Sequence, residues 1–233
     1  FTAMFTPLAK WAVRIDEAAR IPEYIARAFT VAMSGRPGPV VIALPEDMLC
    51  ELAEAMDRPR VERIAQAPEP KQMAALAAHL TAAKNPVAII GGAGWTPEAA
   101  QAMQDFAESW GIPVAAAFRR QDAMANDSAV WAGNLGYGPN PKLVARIKAA
   151  DLVLAIGARL GEATTDGYTL ITPDHPGQTL IHIHPDPNEL NRVYQADLAI
   201  CADMTRFTQA AAALPAPAAP SPSQKTECAT THA

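Results

Sequence analysis

The chain has 233 residues, half of them hydrophobic and 18% charged, with a formal net charge of -5 and an isoelectric point of about 5.5. That is the balance of a globular protein with a sizeable core, and the length suggests one large domain or one domain with a partial neighbour. The mild acidity gives no basic footprint for nucleic acid and no polybasic membrane patch, since the only arginine doublet is Arg119-Arg120.

Cys50, Cys201 and Cys228 are far apart and odd in number. They show neither metal spacing nor a disulfide framework, which fits a reducing cytoplasm. Cys201, in the apolar run LAIC, reads as a small core residue. No stretch approaches the roughly 20 apolar residues that span a bilayer. The opening FTAMFTPLAKW lacks the charged region, apolar run and cleavage site of a signal peptide. The chain opens on Phe1 rather than Met, so further sequence is expected upstream.

After an irregular start, Arg20-Ile21-Pro22-Glu23 opens a helix, because proline loses nothing at its first turn. Ile21, Ile25, Ala28, Phe29 and Ala32 give that helix one apolar face, and Gly35 ends it. Arg36-Pro37-Gly38-Pro39 makes a stiff turn into Val40–Leu44, an apolar run suited to a buried parallel strand. One helix and one strand are not a domain, so residues 1–52 read as the end of a larger α/β domain. Charge and proline dominate to about residue 70, giving a linker over 53–70.

From 71 to 214 helix and strand patterns alternate. Apolar runs lie at Pro86–Ile90, Ile112–Phe118, Leu152–Ile156, Thr179–Ile183 and Leu198–Cys201. Thr96-Pro97-Glu98 and Asn140-Pro141 place a capping side chain before a first-turn proline. Asp186-Pro187-Asn188-Glu189 reads as a capping box, and Asp203 as the cap of the last helix. Apolar strands separated by helices imply an open, doubly wound parallel sheet of Rossmann-like α/β type. Residues 215–233, rich in Pro, Ala and Ser, read as a linker or tail. A linker that joins nothing adds to the expectation of an incomplete chain.

Three glycine clusters are candidates for ligand loops. Gly91-Gly92-Ala93-Gly94 follows a strand and opens a helix, where backbone can approach a phosphate. A full dinucleotide fingerprint would need glycine three residues beyond Gly94, where Pro97 stands, and a tight turn explains the loop equally. Leu135-Gly136-Tyr137-Gly138 precedes the Asn140 cap. Gly157-Ala158-Arg159 follows a strand at the edge where open α/β sheets take ligands. Arg159, Arg119 and Arg120 would suit a phosphate there, or pair with Glu162 and Asp122. His182 and His184 alternate onto one face of their strand and could hold zinc with His175 or Asp186, although buried histidines satisfied by hydrogen bonds explain them as well. Glu46-Asp47 reads as a pair of solvated turn residues. No nucleophile elbow and no paired cysteine and base are found.

Several of these stretches resemble the large-subunit family of acetolactate synthase, with glyoxylate carboligase, pyruvate oxidase and benzaldehyde lyase among its relatives. They are Lys10-Trp11, Arg20-Ile21-Pro22-Glu23, Ser34-Gly35-Arg36-Pro37-Gly38-Pro39-Val40, Leu44-Pro45-Glu46-Asp47, Pro86–Gly92, 150–159 and Ile181–Leu190. The resemblance implies that residues 1–52 close a pyrimidine-binding domain and that 71–214 form the central domain. It implies thiamine diphosphate and Mg2+ in the intact enzyme, bound through motifs that this chain does not carry, and a homodimer or homotetramer. No catalytic or metal residue is therefore assigned.

In some family members the central domain binds FAD through loops matching Gly91, Gly92, Leu135, Gly136, Gly157, Ala158, Arg159 and Asp186. Here His184 stands where FAD-binding relatives often have an acid, and Leu-Gly-Glu-Ala follows Arg159. These departures argue against tight FAD binding. The resemblance implies a cytoplasmic carboligase or decarboxylase of 2-oxo acids, with this fragment inert alone. Two other readings are a stand-alone NAD or FAD module, and a non-catalytic scaffold on the same sheet.

Overall fold

A computed structural model of the chain describes residues 1–173 and 177–216. The chain divides into two compact units, Phe1–Ala65 and the residues from Gln66 onward. The first opens on a single helical turn, α1 (Thr2–Phe5). Strand β1 (Trp11–Arg14) follows, where the sequence suggests only an irregular start. It pairs in parallel with β2 (Val40–Ala43), Trp11 opposite Val40, across helix α2 (Ile21–Met33). The one-turn helix α3 (Glu46–Leu49) comes next, with Glu46 and Asp47 exposed as expected of solvated residues.

The motif residues of this β-α-β unit hold one another. Lys10 Nζ donates to the carbonyls of Ser34 at 2.5 Å and Arg36 at 3.1 Å, pinning the glycine-proline turn beside β1. The Trp11 ring stacks on Tyr24 with centroids 6.0 Å apart. Arg27 lies 4.7 Å over Trp11 and Arg20 lies 4.9 Å over Tyr24. Arg20 also grips Glu23 through Nε and Nη2. Of the apolar face expected on α2, only Ala28 is buried, while Ile25 and Phe29 are exposed. Both side chains line a hollow of about 550 Å³ with Met33 and Val61.

The second unit carries a six-stranded sheet with every pairing parallel. After the helix α4 (Pro70–Ala82), capped reciprocally by Glu69 and Gln72, come β3 (Pro86–Ile90), α5 (Pro97–Trp110) and β4 (Val114–Ala116). Then follow β5 (Trp131–Asn134), α6 (Pro141–Ala149), β6 (Leu152–Ile156), β7 (Thr179–His184), β8 (Leu198–Cys201) and α7 (Met204–Ala212). The spatial order is β5-β4-β3-β6-β7-β8. Counted from β3 this is 3-2-1-4-5-6, the doubly wound order with its switch point between β3 and β6.

Alternation along each strand builds two cores. Ala88, Ile90, Leu152, Leu154, Ile156, Ile181 and Ile183 face α4, α5 and α7, where Phe106 and Phe207 are fully buried. Val87, Ile89, Val153, Ala155 and Leu180 face the other way, against Leu143 and Ile147 of α6. Both strand faces are thus apolar, as a parallel sheet covered on two sides requires.

Three expectations need correction. Strand β5 is not apparent in the sequence, because Gly133 interrupts a four-residue run. The Asp186 capping box opens no helix, and residues 187–190 form turns. The Asp186 carboxylate instead accepts from the Asn188 backbone and side-chain amides at 3.0 and 2.9 Å, so local bonding competes successfully with helix formation. Cys201 lies on the edge strand and is only half-buried. The other caps form as expected. Thr96 accepts from Ala99 N, Asn140 from Lys142 N, and Asp203 from Thr205 N and Arg206 N. Gln66 extends this unit upstream of α4, its carbonyl accepting from Asp203 N at 2.8 Å.

Truncating the fully buried Phe106 to alanine should cost about 3–5 kcal/mol through lost transfer energy and a residual cavity. Asp203→Ala should cost about 1 kcal/mol through one lost cap. Urea unfolding followed by circular dichroism checks both, and a Phe106→Ala effect below that of Asp203→Ala would contradict this packing.

Candidate functional site

The residues singled out in the sequence gather at the carboxyl ends of the strands, but they serve different ends. Gly91 and Gly92 leave β3 and press onto the chain leaving β6. Gly91 N donates to Ile156 O at 3.0 Å, and Ile90 bridges Gly157. A Cβ on Gly92, whose φ is +71°, would stand 1.9 Å from Gly157 O. One on Gly91 would meet Ala117 Cβ at 2.6 Å and Ala158 Cβ at 3.2 Å. The glycines therefore permit an approach of protein to protein. Trp95 Nε1 donates to Gly91 O at 2.7 Å, and Arg120 Nη1 donates to Gly92 O. Arg120 also pairs with Asp122 at 3.0 Å, as its spacing suggests.

Leu135 and Ala158 are core residues, and Gly136 packs beside the Phe118 ring. Asp186 is occupied with Asn188. Of the eight loop residues named from sequence, Arg159 lines a cleft, with Tyr168, His182, Glu189, Arg192 and Tyr194. The cleft has about 30 Å³ of accessible interior, room for one or two waters.

At its floor lies Glu189, with a side chain only 6% exposed. Its carboxylate pairs with Arg192 Nη1 at 2.9 Å and Arg159 Nε at 3.4 Å, while both guanidinium groups stay about half exposed. Arg159 is thus held by Glu189, not by the nearer-in-sequence Glu162. A buried carboxylate needs such partners, since an unpaired one is costly. The Glu189-x-x-Arg192 spacing marks this pair in the sequence, but the reach to Arg159 crosses a parallel strand boundary that no local pattern reveals. Tyr168 (φ 64°) and Asn191 (φ 58°) flank the cleft in the left-handed region, and Tyr194 donates its hydroxyl to Ile171 O at 3.2 Å.

His182 is buried and donates Nε2–H to Ala158 O at 2.9 Å. Burial favours its neutral form and pushes its pKa down to about 4, with His184 adding to the effect. His184 Nδ1 accepts from Asp186 N at 3.1 Å. The two rings face the same core, yet among the described residues no group of three or more His, Cys, Asp or Glu is placed to hold a metal. His175, one partner considered for zinc, lies outside the described residues, as does Cys228.

A family model described as the thiamine pyrophosphate enzyme central domain matches residues 73–211, more than half of the chain. The chain belongs to the thiamine pyrophosphate enzyme central-domain family. An acetolactate synthase of Mycobacterium leprae is 30% identical over 203 residues, covering 85% of this chain and 32% of that protein. A glyoxylate carboligase of Escherichia coli O157:H7 is 31% identical over 211 residues, covering 86% of this chain and 34% of that protein. The chain thus spans about a third of the length of the curated relatives it matches. Among solved structures, a benzoylformate decarboxylase from Polynucleobacter necessarius superposes with a TM-score of 0.71 at 26% identity. That superposition covers 91% of this chain and 39% of the decarboxylase. The resemblance to the acetolactate synthase family is borne out, and a stand-alone dinucleotide module is not favoured.

In the unfolded chain His182 titrates near 6.5, and in the folded chain near 4. Between those values the unfolded state binds more protons, so stability is full above pH 6.5 and falls as pH drops toward 4. At pH 4.5 this central domain should lose about 2–3 kcal/mol from His182 alone. His182→Gln, which keeps a donor but cannot ionise, should remove that part of the pH dependence in urea titrations at pH 7.5 and 4.5. Equal acid losses in the two proteins would contradict the burial account.

Proposed function

We propose that the chain supplies the central domain of a thiamine-diphosphate carboligase or decarboxylase that acts on 2-oxo acids, a transferase or lyase of the acetolactate synthase type. The observation that carries this reading is the central-domain match over 73–211, on a chain also matched along most of its length by an acetolactate synthase and a glyoxylate carboligase. In this reading residues 1–52 close a pyrimidine-binding domain, 53–70 link it to the central domain of 71–214, and 215–233 lead onward. Thiamine diphosphate, when bound, supplies the electron sink for decarboxylation and carbon–carbon bond formation.

In this reading the motifs for thiamine diphosphate and Mg2+ belong to other segments of the intact enzyme, and this chain's own residues pack, wall and position. FAD has no part in the reading. Arg159 is drawn to Glu189, His184 is buried in a hydrogen bond, and Phe118 lies against Gly136. A homodimer or homotetramer in the cytoplasm completes the proposal. The free thiols of Cys50 and Cys201 support that compartment.

The test is turnover of 2-oxo acids by the longest protein that carries this chain, with and without thiamine diphosphate and Mg2+. Cofactor-dependent CO2 release or carboligation is expected there, and none from residues 1–233 alone. Turnover that ignores thiamine diphosphate would refute the reading.

A further inference from the structure

We infer that Phe118, Arg119 and Tyr137 form a binding rim for a planar aromatic carboxylate of the arylglyoxylate kind. The inference deepens the proposed function and rests on it only for the oxo group, since recognition of ring and carboxylate needs no reaction. Phe118 and Arg119 leave the carboxyl end of β4, and Tyr137 leaves that of β5, its parallel neighbour. This is the edge at which open α/β sheets take ligands.

Two independent observations mark the rim. The first is aromatic. Phe118 and Tyr137 meet edge to face with centroids 5.3 Å apart, yet Tyr137 is 79% exposed. Gly136 lets the loop pack against that ring, because a Cβ there would stand 2.6 Å from Phe118. A large ring held out in water beside a second ring leaves a π surface open for stacking.

The second is backbone strain. Arg119 adopts φ 62°, a region unfavourable for a residue with a side chain. Its guanidinium lies 5.0 Å over Phe118, and among the described residues it has no ion-pair partner. Arg120 behaves in the opposite way, tied inward to Gly92 O and to Asp122. One arginine of the doublet is structural, and the other is displayed beside two rings.

A guanidinium takes a carboxylate through parallel N–H donors, and the neighbouring ring takes a flat apolar group. An arylglyoxylate supplies both. Pyruvate supplies the carboxylate alone. A nucleotide also combines a plane with an anion, so AMP serves as the competing probe.

The chain of residues 1–233 is titrated with benzoylformate, pyruvate and AMP, following backbone amide shifts by NMR. Benzoylformate should bind about tenfold tighter than pyruvate, the worth of one ring contact, and tighter than AMP, with shifts centred on residues 118–120 and 136–138. Tyr137→Ala should erase the preference over pyruvate. Arg119→Gly removes the cation and also the strain, so binding should weaken by about tenfold while Tm stays at or above that of the parent. Benzoylformate no tighter than pyruvate, AMP the tightest of the three, or Arg119→Gly lowering Tm with binding intact would each overturn the inference. Binding without turnover in the intact enzyme would count against the proposed function alone. Turnover of small 2-oxo acids without benzoylformate binding would count against the rim alone.

Discussion

The larger unit depends on the close approach of β3 and β6 at their carboxyl ends. Five residue pairs run in register from Pro86 and Leu152 to Ile90 and Ile156. Beyond them Gly91 and Gly92 lie directly on Gly157 and Ala158. This is the topological switch point, where the chain first winds one way through β4 and β5 and then returns to build β6, β7 and β8. Without side-chain-free residues there, the two halves of the sheet could not meet, and the alternating cores on either face would lose their shared centre.

That contact also shapes what the domain can do. A switch point is where a dinucleotide would enter, but here backbone, Trp95 and Arg120 occupy the carbonyls and van der Waals space of the turn. The charged residues nearby form a closed set of their own, with Glu189 between Arg159 and Arg192. The displayed chemistry moves outward along the same edge, to Phe118, Arg119 and Tyr137.

Much of this was legible in the sequence because the signals are local. Apolar runs marked five of the six strands of the larger sheet, and Thr96, Asn140 and Asp203 announced their helices by capping chemistry. The Lys10-Trp11 and Arg20–Glu23 motifs pointed to a family, and in this chain lysine, rings and arginines brace one β-α-β unit. What stayed hidden is non-local or locally ambiguous. Trp131–Asn134 is too short and too glycine-broken to read as a strand until β4 pairs with it. Asp186–Glu189 satisfies a capping pattern, yet Asn188 and the arginines claim both carboxylates. Glycine clusters look alike whether they admit a phosphate or a neighbouring strand, and it is the packing of Gly92 on Gly157, where no Cβ would fit, that shows the second.

The most direct measurement is a calorimetric titration of the purified chain with FAD. With the glycine turn packed on Gly157 and Arg159 held by Glu189, the account predicts no saturable binding tighter than about 100 µM. Stoichiometric binding in the micromolar range would show that the glycine turn opens for a dinucleotide after all, and would contradict it.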